Sequence, residues 1–244
     1  MRNTQLASCL IAVSLLGANQ LARAADPAHP EQPAVAPAEA IAKLKEGNGR
    51  YASGKLQHPG QTTERRAELT KDQHPFAVIV SCSDSRVPPE IVFDQGLGDL
   101  FVVRVAGNVI DDHGLGSIEY AVDHLGARLI VVLGHQSCGA VKAAVETPAG
   151  KSLGPNLDYL IKAIRPAVER AASDVDAVGL RAAILANVEE TINDLLEQST
   201  ILKHLAESGQ VTLVGAYYEL TTGRAHFSEP VRMPRGADTR ASRH

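Results

Sequence analysis

The sequence predicts an α/β protein with a mainly parallel central sheet of about four strands plus an edge strand, flanked by helices and preceded by an N-terminal helical arm. Three observations predict it. Short runs rich in Val, Ile and Leu are apolar throughout, the pattern of strands buried on both faces. Segments of helical spacing separate these runs, as parallel strands joined by crossovers require. The 44% apolar content over 244 residues is enough for a substantial buried core.

Taken in order, the arm comes first. From Glu39 the pattern turns helical through Ile41, Leu44 and Lys45, and the glycines of "GNGRYASG" are expected to end that helix. "GQTTERRAEL" reads as a polar connection into a short helix. "FAVIV" (76–80) and "LFVVRVAG" (100–107) are the first two strands, each expected to be buried on both faces. "GSIEYAVDHLG" (116–126) has helical spacing and a Gly stop, "RLIVVLGH" (128–135) is the third strand, and "SCGAVKAAVE" is the helix after it. "LDYLIKAIRPAVERAA" and "LRAAILANVEETINDLLEQ" are longer amphipathic helices. "VTLVGAYYEL" (211–220) is the fourth strand, and a polar hairpin leads to "RAHFS" as the edge strand.

The ends carry a different message. Arg2, an apolar run from Leu6 to Leu16 and then Ala22-Arg23-Ala24 form the charged start, short core and cleavage site of a secretory signal peptide over residues 1–24. The run is too short for a comfortable membrane span. An Ala/Pro-rich linker over 25–38 follows, then a single α/β domain over 39–229 and a tail over 230–244. The expected location is therefore outside the cytoplasm, in a bacterium the periplasm. Cleavage removes Arg2 and Arg23 and no acid, taking the net charge from −4 to −6. Nothing in that balance marks a nucleic-acid surface. Cleavage also removes Cys9 and leaves Cys82 and Cys138.

Those two cysteines raise the chemical question. In open α/β sheets ligands bind beyond the carboxyl ends of strands. Cys82 stands at such an end, as does His135, and Cys138 follows on the turn into a helix. Two sulfurs and an imidazole with a fourth position open make a catalytic zinc site. Exported proteins also pair cysteines as disulfides, and a Cys82–Cys138 bridge is the competing reading. That bridge leaves His135, Asp84 and Arg86 without a role. If the segment is extended, Asp84 and Arg86 point the same way. The guanidinium can then hold the carboxylate bidentately, ionised and oriented. A surface ion pair of little value is the plainer account. Pro88 and Pro89 stiffen the chain directly afterwards.

"CSDSR" followed by "HQSC", with "PPEIVFDQGLGDLFVVRVAGN" and "SIEYAVDHLGARLIVVLGH" around them, resembles the β-class carbonic anhydrases over roughly residues 39–228. The resemblance implies one zinc ion per subunit held by Cys82, His135 and Cys138, with Asp84 and Arg86 as an orienting dyad. It implies reversible hydration of carbon dioxide to bicarbonate and a proton through zinc hydroxide. Gln73, Phe101 and Tyr120 match family positions that line the substrate pocket, commonly from a neighbouring subunit, so a homodimer or higher homo-oligomer is implied. Plain core packing is the other reading of Phe101 and Tyr120. Gly139 matches the position after the last ligand, where a backbone N–H approaches substrate. One branch of the family binds regulatory bicarbonate in a Trp-containing pocket; this chain has no Trp.

Rival functions share parts of this picture. A zinc hydrolase of CS2 or COS would use the same ligands. A zinc dehydrogenase needs a dinucleotide fingerprint, which neither "DQGLGD" nor "DHGLGS" completes. A non-catalytic zinc-stabilised module would be expected to fill its fourth position with another protein ligand. None of the nine histidines, His113 included, is marked as a proton shuttle. Two thiolates cancel the charge of Zn2+, so a water on it should be less acidified than the value of about 7 found with three histidines. Carbon dioxide hydration should accordingly rise with pH into the mildly alkaline range in a stopped-flow rate–pH profile. A profile already flat from about pH 6 would contradict this charge argument.

Overall fold

Alternation along each strand decides what each face of the sheet meets. The computed structural model describes residues 34–172 and 179–231. Its strands are β1 (Ala77–Ser81), β2 (Leu100–Arg104), β3 (Leu129–His135), β4 (Thr212–Tyr218) and β5 (Ala225–Phe227), in spatial order β2-β1-β3-β4-β5. The first four are parallel and β5 runs antiparallel to β4. The helices are α1 (Pro37–Ala52), α2 (Thr63–Glu68), α3 (Pro89–Val92), α4 (Asp112–Asp123), α5 (Gly139–Glu146), α6 (Pro155–Ala172), α7 (Gly179–Gln198) and α8 (Thr200–Glu207). The architecture is thus the α/β fold with a mainly parallel sheet and one antiparallel edge strand.

Val78, Val80, Ile130, Val132 and Leu213 face one way and pack on α4, α7 and α8. Ala77, Ile79, Leu129, Val131 and Val214 face the other way and pack on α1 and on Val92 and Phe93. Each fully buried Val, Leu or Ile of this kind contributes about 1.5–3 kcal/mol. β1 and β3 are buried along their whole length, as their unbroken apolar runs require. A third cluster, beyond the carboxyl ends of the strands, joins Cys82 and Cys138 to Val141 and Ala144 of α5, Ile164 of α6 and Ile184 of α7.

Several sequence expectations change here. β2 is not buried on both faces: every residue in it is half-buried, because β2 lies at the end of the sheet with β1 as its partner. α1 begins at Pro37, where the fixed φ of proline suits a first helical turn. It does not stop at the glycines of "GNGRYASG" but continues to Ala52. Gly47 is there for close approach, since a Cβ would lie 1.8 Å from the Phe93 carbonyl oxygen. Asn48 beside it is buried and donates through Nδ2 to the carbonyls of Val92 and Gly223 while its Oδ1 accepts from the Ala225 N–H. The chain turns at Gly54, whose φ of +68° is left-handed. α3 and α8 were not visible as separate helices. α8 follows α7 after Ser199, whose side chain accepts from the Leu202 N–H and caps a new start.

The signal peptide lies outside the described residues, as do residues 25–33 of the linker and residues 232–244 of the tail. Among the described residues no helix is long and apolar enough to cross a membrane.

Asp94 fastens α1 to the sheet layer. Its carboxylate is 1% exposed and accepts from Arg50 Nε at 2.6 Å and from the backbone N–H groups of Gln57 and His58, each at 3.0 Å. Burial pushes its pKa up, but these donors outweigh burial and hold it below the ordinary value. A lowered folded pKa means stability present above the unfolded value and lost as pH falls through the folded one. Asp94→Ala should cost about 2–4 kcal/mol in urea unfolding at neutral pH. The difference from wild type should shrink when unfolding is measured below about pH 4.

Candidate metal centre

Parallel register brings the site together. Ser81 of β1 lies opposite Leu133 of β3, so Cys82 and His135 leave the sheet on the same rim. The ladder continues past the strand through the Gln136 N–H to the Tyr218 carbonyl at 2.8 Å. Ser137 then turns with a φ of +57°, a conformation that costs energy for a residue with a Cβ. That turn places Cys138 as the residue that precedes and caps α5, where the positive end of the helix dipole favours a thiolate.

The donor atoms of Cys82, His135 and Cys138 all lie within 4.8 Å of one another, and all three residues are buried. Both cysteines are free. Their sulfurs are 4.0 Å apart, about twice a disulfide length. Two thiolates on a tetrahedral zinc at about 2.3 Å would stand about 3.8 Å apart. The disulfide reading is overturned and the metal spacing fits.

His135 supplies a second test. Its Nδ1 is 2.9 Å from the Gln136 carbonyl oxygen, so Nδ1 carries the proton and donates it there. Nε2 is fully buried and has no hydrogen-bond partner among the described residues. An orphaned buried acceptor is costly, and here it faces two sulfurs. The thiol of Cys138, as donor, lowers the Cys82 pKa to about 4 against the opposing effect of burial. Cys138 is correspondingly raised, first by that same bond and then by burial. Two cysteine sulfurs and an imidazole nitrogen are a donor set for zinc once both thiols have lost their protons.

Asp84 and Arg86 meet beside this group. Arg86 Nε reaches Asp84 Oδ1 at 2.9 Å and Nη2 reaches Oδ2 at 2.7 Å. The expected extended segment is not what aligns them. The Arg86 N–H donates to Asp84 Oδ1 at 2.9 Å and the Val87 N–H to the Asp84 carbonyl at 3.0 Å, so a tight turn folds the two side chains together. The Arg86 bond holds the Asp84 carboxyl well below the usual carboxylate range. With Arg86 53% exposed and Asp84 16%, the pair adds little stability; its effect is to aim an ionised carboxylate. Oδ2 points toward the cluster, 3.9 Å from His135 Nε2.

The carbonic anhydrase family model matches residues 77–225. Carbonic anhydrase 2 of Mycobacterium tuberculosis is 45% identical over 194 residues, covering 78% of this chain and 91% of its own. The β-carbonic anhydrase CafA of Aspergillus fumigatus shares the fold with a TM-score of 0.60 at 30% identity, over 79% of this chain and 90% of that one. Two tetrameric β-carbonic anhydrases of Sordaria macrospora are represented by a chain with a TM-score of 0.63 at 23% identity, over 79% and 99%. The chain belongs to the β-class carbonic anhydrase family.

Membership makes it an enzyme, a carbonic anhydrase, whose Cys–His–Cys group could bind a metal. Gln73, Phe101 and Tyr120, which the resemblance also singled out, do not join that group within one chain. Phe101 pairs with Val78, three residues before the carboxyl end of β1 and so about 10 Å below the rim. It packs on the core beside Val103. Gln73 and Tyr120 share a cleft of about 500 Å3 with Leu69, Leu97 and Gly98, a cleft that none of the three donor residues lines. Tyr120 stacks on His124 with ring centroids 5.0 Å apart. Gly139 opens α5, and a Cβ there would meet no atom of this chain within 4 Å.

Three supporting residues escaped the sequence reading. Arg104 Nε donates to the Cys82 carbonyl at 3.0 Å and Nη2 to the Asp84 carbonyl at 2.6 Å. The Gly107 N–H points at Cys82 Sγ, 3.3 Å away. Asn187 Nδ2 donates to the Gly107 carbonyl at 2.7 Å. A lone Arg in the apolar run "LFVVRV" and an Asn in the apolar face of a helix were the available signals. Arg104→Met should lower stability by about 2 kcal/mol in urea unfolding, because two loop carbonyls lose a charged donor.

Proposed function

We propose that Cys82, His135 and Cys138 hold one zinc ion per subunit and that the enzyme uses it for reversible hydration of carbon dioxide to bicarbonate and a proton. The observation that carries this reading is the buried, unpartnered His135 Nε2 facing two free sulfurs, with the Arg86-held carboxylate at its side. Zinc, when bound there, would supply a Lewis acid that acidifies a water in its open position.

The chain's residues do the aiming. The Gln136 carbonyl fixes the His135 ring by taking its Nδ1 proton in a hydrogen bond, leaving Nε2 as a ligand. Asp84, kept ionised by Arg86, can only accept hydrogen bonds. Oδ1 accepts two Arg86 donors and Oδ2 one, and Oδ2, which faces the cluster, is the atom that would accept from the O–H of a water activated there and orient it toward carbon dioxide. The new C–O bond forms as a C=O electron pair moves onto oxygen. The proton released in the cycle is not retained by Asp84, whose acidity is too great, and passes to solvent or buffer.

Gln73, Phe101 and Tyr120 act in this reading on the site of a neighbouring subunit, since one chain keeps them away from its own donor group. Gly139 offers its backbone N–H on the open side of α5. Export leaves the two thiols reduced because the metal occupies them; both should react with a thiol reagent only after denaturation with a chelator.

Metal analysis paired with stopped-flow carbon dioxide hydration should find one zinc per chain, with activity lost on chelation and restored by zinc. Asp84→Asn should keep its zinc and lose about 100-fold or more in kcat/KM. Full activity without zinc, or in Asp84→Asn, would overturn the reading.

A further inference from the structure

Helix α7 reaches both halves of the metal centre, and its polar residues have no part in the chemistry above. Gly134 and Gly215 have no side chains on the face that α7 covers. A Cβ on Gly134 would stand 2.6 Å from Val188 Cγ2, and one on Gly215 would stand 2.9 Å from Val188 Cγ1. The helix thus lies directly on β3 one residue before His135. One residue before Val188 is Asn187, 1% exposed, with its side chain turned away from any solvent. Its Nδ2 donates to the Gly107 carbonyl at 2.7 Å. Four residues on, Thr191 Oγ1 accepts from Asn108 Nδ2 at 3.2 Å and lies 3.2 Å from the Asn108 carbonyl oxygen.

These contacts grip the short turn Ala106–Asn108. That turn holds two consecutive left-handed residues, Gly107 at φ +72° and Asn108 at φ +50°. A Cβ on Gly107 would lie 2.7 Å from Ile164 Cδ1, so the turn is also pressed from α6. Its product is one N–H aimed at Cys82 Sγ, 3.3 Å away. An unpaired asparagine amide in an apolar interior is destabilising. This one is spent on a carbonyl whose orientation sets the turn that carries the N–H.

We propose that Asn187 is a positioning residue for the metal centre: by holding the Gly107 carbonyl it fixes the N–H···S bond to Cys82 and so tunes that sulfur as a ligand. The inference rests on the reading of Cys82 as a zinc ligand. An N–H donor stabilises negative charge on sulfur and draws its lone pair down in energy. Without it the Cys82 sulfur loses its fixed N–H partner and is a less durable ligand.

The test uses the whole enzyme and a readout other than turnover. Asn187→Asp keeps the shape but presents an oxygen to the Gly107 carbonyl; Asn187→Ala removes the donor. Zinc release into excess chromophoric chelator should be about tenfold faster in both. After cobalt replacement, the sulfur-to-cobalt absorption should move to longer wavelength. Asp94→Ala is the control for lost stability and should release zinc at the wild-type rate. Release rates and cobalt spectra equal to wild type in a folded Asn187 variant would overturn the proposal. So would equal acceleration in Asp94→Ala. Should neither Asn187 variant fold, cadmium-113 replacement of the wild type decides: magnetic coupling between the metal and the Gly107 amide proton supports the bond, and its absence overturns it. A wild type with no sulfur-to-cobalt band fails one step earlier, at the metal site itself, and takes this inference with it.

Discussion

The parallel register of β1 against β3 is the constraint on which the site depends. Ser81 opposite Leu133 makes the next residues of both strands emerge on one rim, within reach of a common centre. A slip of one residue would turn every side chain of β3 to the other face, so that Ile130 and Val132 would exchange layers with Leu129 and Val131. The unbroken apolar composition of β1 and β3 cannot by itself choose that register. The helices on either side do so, because Ile130 and Val132 fit one layer while Leu129 and Val131 fit the other. Core packing and site geometry are thus the same fact seen at two ends of a strand.

Several of the chain's buried polar groups lie around that rim. His135, Asn108, Asn187 and Thr191 are all buried, and Asn108 Nδ2, Asn187 Nδ2, Thr191 Oγ1 and His135 Nδ1 find partners within the chain. Among the described residues two buried side-chain atoms lack a partner, Ser81 Oγ and, facing the sulfurs, His135 Nε2. A structure that satisfies its neighbours and leaves that atom bare is arranged for something from outside. The contrast with Asp84 and Arg86 is instructive. They sit at the edge of the same site, in water's reach, where an ion pair adds little stability and can instead be kept for orientation.

The site residues also divide between the two rims of the sheet. Cys82, His135 and Cys138 stand beyond the carboxyl ends, whereas Phe101 lies low on β2 and Gln73 precedes β1. β2 is half-buried as the end strand, where the sheet has no further strand to cover it.

Composition and spacing alone determined the α/β class, the strands and the donor residue types, because these depend on local periodicity and on side-chain chemistry. The Cys-x-Asp-x-Arg and His-x-x-Cys spacings were legible for the same reason: each is set within a few bonds of backbone. Where the sequence misled, a distant contact had overruled a local preference. Gly47 looked like a helix stop and is a helix residue, because Phe93 leaves no room for a side chain. "LFVVRV" looked like a central strand and is an end strand, because apolarity does not reveal how many neighbours a strand has. Arg104 and Asn187 were silent in the sequence, since their meaning lies in carbonyls 22 and 80 residues away. Only the tertiary structure decided between a disulfide and a metal group: the distance between Cys82 and Cys138 is fixed by the pairing of strands and by the turn at Ser137, neither of which any short stretch of chain encodes.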